Sequence, residues 1–87
     1  MTYDVEFTAN AESDLGRLDA KITRRVLKKL AWLADNLHVV GQEALAAPFK
    51  GMFKLRCGDY RIVYECNRQE RKIVVRIVRH RSQVYKG

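Results

Sequence analysis

The chain has 87 residues, 47% hydrophobic and 31% charged, with one proline and five glycines, a composition that suits one globular domain and is too short for two. Seventeen Lys and Arg against ten Asp and Glu leave a net charge of +7, so a polyanionic partner is expected. Charge interrupts every apolar stretch, which excludes a membrane span of roughly 20 residues and a secretory leader, and the expected location is the cytoplasm, away from membranes.

Tyr3, Val5 and Phe7 alternate with Asp4 and Glu6, the period of two of a strand with one wet face. Thr8 closes this strand and can cap a helix after it. Ala11, Leu15 and Leu18 lie at i, i+4 and i+7 and predict a short amphipathic helix, weakened by about 1 kcal/mol at Gly16. After a turn near Asp19, itself a fair N-cap, Ile22, Val26, Leu30, Leu33 and Leu37 form the apolar stripe of a longer helix over 20–37. Lys21, Arg24, Arg25, Lys28 and Lys29 crowd the rest of its surface. The two helices read as an αα-hairpin with a basic outer face.

Periodicity fades between His38 and Lys50, and Pro48 and Gly51 punctuate a loop. Residues 52–57 and 60–66 are alternating runs joined by Gly58-Asp59, glycine first, which suits a type II′ hairpin turn. A third run, 72–78, is rich in Ile and Val and is entered through a polar loop, 67–71. The order β-α-α-β-β-β predicts an α+β fold, with the helical hairpin packed on one face of a mainly antiparallel four-stranded sheet. Cys57 and Cys66 have no metal-ligand spacing and read as two packed thiols of a reducing compartment; neither a metal nor a cofactor is expected.

Charge is unevenly spread: residues 1–49 carry a net −1 and residues 50–87 a net +8. With a two-residue loop at Gly58-Asp59, Cys57 lies opposite Tyr60, Arg56 opposite Arg61, Leu55 opposite Ile62 and Lys54 opposite Val63. Phe53, Leu55, Cys57, Tyr60, Ile62, Tyr64 and Cys66 then face the helices, with Ile73, Val75 and Ile77 of the last run. Met52, Lys54, Arg56, Arg61, Val63, Glu65 and Arg76 fall on the open face, and Arg79, His80 and Arg81 arrive at the strand's exit. Two arginines directly opposed at roughly 5 Å destabilise a sheet by a few tenths of a kcal/mol unless an anion lies between them. Forked guanidinium donors match phosphate oxygens, so the pair reads as a cradle for a nucleic-acid backbone. The plain alternative is a basic face that serves solubility.

The segment from Phe53 to Tyr64, containing Leu55, Arg56, Gly58, Asp59, Tyr60 and Arg61, together with Pro48, Lys50 and Gly51 before it and His80, Arg81 and Tyr85 after it, resembles the RelE/ParE superfamily of toxin–antitoxin toxins along the full chain. The resemblance implies a RelE-like fold and a metal-independent endoribonuclease, an mRNA interferase that enters the ribosomal A site and drives a 2′-hydroxyl onto the adjacent phosphate. It implies as partners mRNA, the ribosome and a cognate antitoxin with an acidic binding segment. The toxin alone is expected to be a monomer, and the silenced form a heterocomplex.

By that resemblance Lys54 activates the 2′-hydroxyl or holds the phosphate, Arg61 stabilises the phosphorane, Arg81 serves the leaving 5′-oxygen and Tyr85 stacks a splayed base. Met52 stands where some members have a second lysine, so His80, whose imidazole titrates near neutrality, is the other candidate base beside Lys54. Arg56, Arg76 and Arg79 of the sheet and Arg25 and Lys28 of the helix are the RNA-binding candidates. Two other functions suit the same pattern: a ParE-like inhibitor of DNA gyrase, and a non-catalytic domain that binds RNA or titrates its antitoxin.

Overall fold

A computed structural model describes residues 2–84, in the order β1 (Asp4–Phe7), α1 (Ala9–Gly16), α2 (Ala20–Asn36), β2 (Glu43–Ala44), β3 (Phe53–Cys57), β4 (Tyr60–Asn67) and β5 (Lys72–His80). Both helices start where a side chain can accept an orphan N–H. Thr8 Oγ1 accepts from Ala11 N at 3.1 Å and the Asp19 carboxylate from Lys21 N at 2.8 Å, contacts worth about 1 kcal/mol each. Gly16 is the last residue of α1, so its cost falls at a helix end and Leu18 joins the core from the connecting turn.

The sheet has five strands in the order β1-β5-β4-β3-β2, one more than expected, because Glu43 and Ala44 form an edge strand too short to have a readable period. Pairing is antiparallel except where β1 lies parallel to β5. Ala11, Val26, Leu30, Leu33 and Leu37 of the helical side close on Ile62, Tyr64, Ile73, Val75 and Val78 of the sheet, all of them buried. Each large aliphatic side chain buried there contributes on the order of 1.5–3 kcal/mol. Cys57 and Cys66 are free thiols, half-buried at the edge of this core, and burial pushes the Cys66 thiol up. Among the described residues no helix is long and apolar enough to cross a membrane.

The β3–β4 hairpin has the register expected of a two-residue loop, with Cys57 opposite Tyr60, Arg56 opposite Arg61, Leu55 opposite Ile62 and Lys54 opposite Val63. Gly58 has φ +59° and Asp59 has no positive φ, the type II′ pattern that only glycine enters without strain. Along β4 and β5 the register shifts once: Val63 pairs with Ile77 but Tyr64 with Val75, leaving Arg76 as the extra residue of a bulge. The bulge corrects the expected position of Ile77. It sends Ile77 to the face away from the helices and gives its core place to Val78, which is 1% exposed. The carbonyl freed at Arg76 accepts from Asn10 Nδ2 at 3.2 Å.

Candidate functional site

The face turned away from the helices is set by the hairpin and by the bulge. Arg56 is opposite Arg61, and Arg61 opposite Arg79, so three arginines stand in one row across β3, β4 and β5. Lys54 lies two residues along β3 on the same face, opposite Val63. Val63 itself is 0% exposed and lies outside the helix-side cluster. A depression beside it is lined by Pro48, Phe49, Met52, Arg76 and Ile77; this face has an apolar floor as well as a cationic rim.

The cations of this face have defined partners. Lys54 Nζ is 3.3 Å from Glu43 Oε2 and Arg56 Nε 3.8 Å from Glu43 Oε1, so one carboxylate on β2 bridges both. Arg76 pairs with Glu65 at 2.8 Å. Arg79 Nε lies 3.4 Å from both oxygens of Asp14, a buried carboxylate of α1 that also accepts the backbone N–H of Val78 at 3.1 Å. Arg61 differs from these: its Nη1 donates to the carbonyls of Gly58 and Tyr60, both at 2.9 Å. Neutral partners orient the guanidinium without cancelling its charge. Lys54, Arg56, Arg61, Arg76 and Arg79 thus meet three carboxylates, and the face keeps a positive excess that favours a bound anion.

The remaining sequence candidates fall in different places. His80 is opposite Tyr60, on the helix-side face of the sheet, and its ring meets Tyr60 edge-on at 5.5 Å. Its Nδ1 accepts the N–H of Ser82 at 3.2 Å and lies 2.8 Å from Ser82 Oγ, so that lone pair is already engaged. The backbone N–H of Arg81 donates to the Asp59 carbonyl at 2.8 Å. This ties the exit of β5 to the hairpin tip and places Arg81, exposed, beside the turn that Arg61 braces. Tyr85 lies outside the described residues. Arg25 and Lys28 of α2 line a groove with Lys29, Trp32, Arg56 and Gly58. The Arg25 guanidinium lies 3.0 Å from where a Cβ on Gly58 would be, so the helix cations and the hairpin cations form one continuous surface.

Sequence reasoning missed two acids. Asp14 stands on the α1 stripe one position before Leu15, and a lone acid beside an apolar stripe was the available signal. Glu43 had none, since it sits in the stretch without periodicity. Among the described residues no group of three His, Cys, Asp or Glu is placed to hold a metal ion.

Comparison with known proteins places this geometry. Residues 5–85 match the family model for the ParE toxin of type II toxin–antitoxin systems, parDE. The chain belongs to the RelE/ParE superfamily. Within it, the RelE-like branch supplies the curated relatives: toxin RelG of Mycobacterium tuberculosis is 31% identical over 87 residues, covering 99% of each chain. Toxin RelE of the same organism is 32% identical over 85 residues, covering 97% of this chain and 87% of that one. The fold superposes on the Mycobacterium tuberculosis RelBE2 toxin–antitoxin complex with a TM-score of 0.84 at 28% identity, over 95% of each chain. It also superposes on the archaeal RelE–RelB complex of Pyrococcus horikoshii with a TM-score of 0.74 at 22% identity, over 97% of this chain and 100% of that one. This protein is therefore a RelE-like toxin of a type II toxin–antitoxin system.

Proposed function

We propose that this toxin is a metal-independent endoribonuclease that cuts translated mRNA, in the ribosomal A site, by driving a 2′-hydroxyl onto the adjacent phosphate. The observation that carries the reading is the row of Arg56, Arg61 and Arg79 across three strands, with Lys54 beside it on the same face. Three opposed like charges lower the stability of a sheet, and they suit a backbone of phosphates that neutralises them. RNA carries its own nucleophile, so the protein needs to bend the chain in line and to aim cations at the charge that develops. Arg61 stabilises the phosphorane, since its guanidinium is pre-oriented by the turn carbonyls and uncancelled by an acid. Lys54 holds the scissile phosphate, Arg81 serves the leaving 5′-oxygen, and Tyr85 stacks the base. Arg56, Arg76, Arg79, Arg25 and Lys28 carry the flanking phosphates.

The toxin acts in the cytoplasm and is silenced by a cognate antitoxin. An acidic segment of that antitoxin covers Lys54, Arg56 and Arg61, or the helix face from Lys21 to Lys29. Solved relatives in complex with RelB-type partners support this reading. A second reading, a ParE-like inhibitor of DNA gyrase, is favoured by the name of the matching family model. Incubation of the purified protein with a reconstituted translation system, and separately with gyrase and supercoiled DNA, separates the two. Message cut to 5′-hydroxyl and cyclic-phosphate ends is expected; gyrase–DNA breaks with intact message would overturn the ribonuclease reading.

A further inference from the structure

Ile77 has no part in the chemistry assigned so far, yet the bulge turns it outward. Without the extra residue at Arg76 it would face the helices; with it, Val78 takes the core place and Ile77 points from the open face. Bulges beside functional sites re-aim side chains in this way. Ile77 is aimed at the depression beside Val63, about 380 Å³ in volume and walled on its other side by Pro48, Phe49 and Met52. That volume falls at the small end of ligand sites, roughly 300–1,000 Å³.

Both sides of the depression are held in place. The loop carrying Phe49 and Met52 is closed by backbone hydrogen bonds from Phe49 N to Ala46 O at 2.9 Å, Met52 N to Phe49 O at 3.0 Å and Leu45 N to Met52 O at 3.0 Å. Gly51 supplies the φ of +89° within it. Thr8 and Asn10 stand at the far end. Asn10 Nδ2 donates to the Arg76 carbonyl at 3.2 Å, which orients the amide and leaves Oδ1 as an acceptor on an exposed residue. Arg76 closes the rim, paired with Glu65 at 2.8 Å. Apolar walls, one oriented acceptor and cations at the rim match a nucleobase with its phosphate attached: flat apolar faces, a polar edge and an anion. An aliphatic side chain of a protein partner would fill the same walls and leave the Asn10 acceptor without a donor.

Lys54 pairs with Val63 and Val63 with Ile77, so the depression lies two strands, about 10 Å, from the lysine assigned to the scissile phosphate. One nucleotide bridges that distance. Along the strands the order runs from the row of Lys54 and Ile77, through the arginine row, to Arg81 at the hairpin tip. Since Arg81 serves the leaving 5′-oxygen, the nucleotide that supplies the 2′-hydroxyl lies on the side of the depression. We propose that this depression is the base pocket of the site and holds the base on the 5′ side of the cut, with Asn10 reading its edge; this rests on the ribonuclease reading. Asn10 Oδ1 accepts from an exocyclic amino group, which adenine, cytosine and guanine carry and uracil lacks. Asn10 is thereby a specificity-determining residue, and the bulge that it braces is what aims Ile77 at the base.

The test is single-turnover cleavage of a programmed message on purified ribosomes, with each of the four bases in turn on the 5′ side of the cut. The full-length wild type is compared with Asn10→Ala and Ile77→Phe, and thermal melting verifies folding. The wild type is expected to cut after uracil roughly 3- to 10-fold more slowly than after adenine or cytosine, the worth of one hydrogen bond. Asn10→Ala should bring that ratio within about twofold by slowing cleavage after the amino-bearing bases. Ile77→Phe narrows the depression and should slow cleavage after purines by roughly 5-fold or more relative to pyrimidines. A wild type that cuts with no preference for this base would overturn the proposal, as would a wild-type base profile in both folded variants, which would leave the depression to a protein partner. In either case cleavage itself keeps the ribonuclease reading. A wild type that cuts no message would overturn that reading, and this inference with it.

Discussion

The two faces of the sheet are built on opposite terms. Toward the helices, Ile62, Tyr64, Val75 and Val78 close on Leu30 and Leu33 with almost no exposed surface. On the other face Arg56, Arg61 and Arg79 are stacked strand to strand, and Glu43 and Asp14 offset only part of their charge. One face stabilises the fold and the other draws on that stability. The contrast teaches that a change on the first should be read in unfolding curves and a change on the second in function.

The strongest way to break that division is at Leu33, 0% exposed. Leu33→Ala should cost about 2–5 kcal/mol, seen as a lower urea midpoint, and a loss under 1 kcal/mol would mean that the helix face does not carry the core. Next, Arg61→Ala should lower message cleavage by roughly 10²- to 10³-fold and cost about 0.5–1.5 kcal/mol for the turn hydrogen bonds it also makes. Wild-type cleavage by the folded variant would remove Arg61 from the chemistry. Asp14→Asn keeps an acceptor for Val78 N but weakens the hold on Arg79. A stability loss of about 1–3 kcal/mol is expected, together with a steeper salt dependence of RNA binding as Arg79 is released; an unchanged melting temperature would mean that Asp14 does not hold the edge of β5.

Arg56→Ala should shift stability by no more than a few tenths of a kcal/mol and reduce the slope of log affinity against log salt by about one. A slope equal to that of the wild type would separate Arg56 from the RNA. The smallest effect is at Tyr64, whose phenol burial pushes up from its ordinary 10.0. Below that pH both folded and unfolded chains keep the proton, so pH acts little through this group. Above it the unfolded chain ionises first, and stability falls as pH rises toward the folded value. Tyr64→Phe should flatten that alkaline fall in a melting series, and an equally steep fall in the variant would assign it to another group.

Much of this architecture was legible because its signals are local. The stripe from Ile22 to Leu37 and the cap at Asp19 define α2, and Gly58-Asp59 sets a register that puts Lys54, Arg56 and Arg61 on one face. Two features depend on distant contacts and left no local trace. The bulge that turns Ile77 outward arises where Asn10, 66 residues earlier, satisfies the Arg76 carbonyl. The edge strand at Glu43 exists because Met52 and Phe53 offer it hydrogen bonds, so its carboxylate could not be placed beside Lys54 by reading along the chain. His80 failed to join Lys54 and Arg61 for a related reason: once the bulge resets the alternation of β5, pairing with Tyr60 puts it on the other side.

The parallel pairing of β1 with β5 has a consequence for how the protein is made. Asp4 meets Lys72 and Phe7 meets Val75, so the first strand to leave the ribosome finds its partner only after most of the chain has followed. Closing so long a loop is slow relative to local pairing. Until β5 emerges, Ile73, Val75 and Val78 are missing from the centre of the sheet, and β4 has only its hairpin partner β3. On the reading proposed above, the row of Arg56, Arg61 and Arg79 is incomplete until the last strand is added, so a nascent chain would lack a finished site and the interval of synthesis would be time in which an antidote can be supplied.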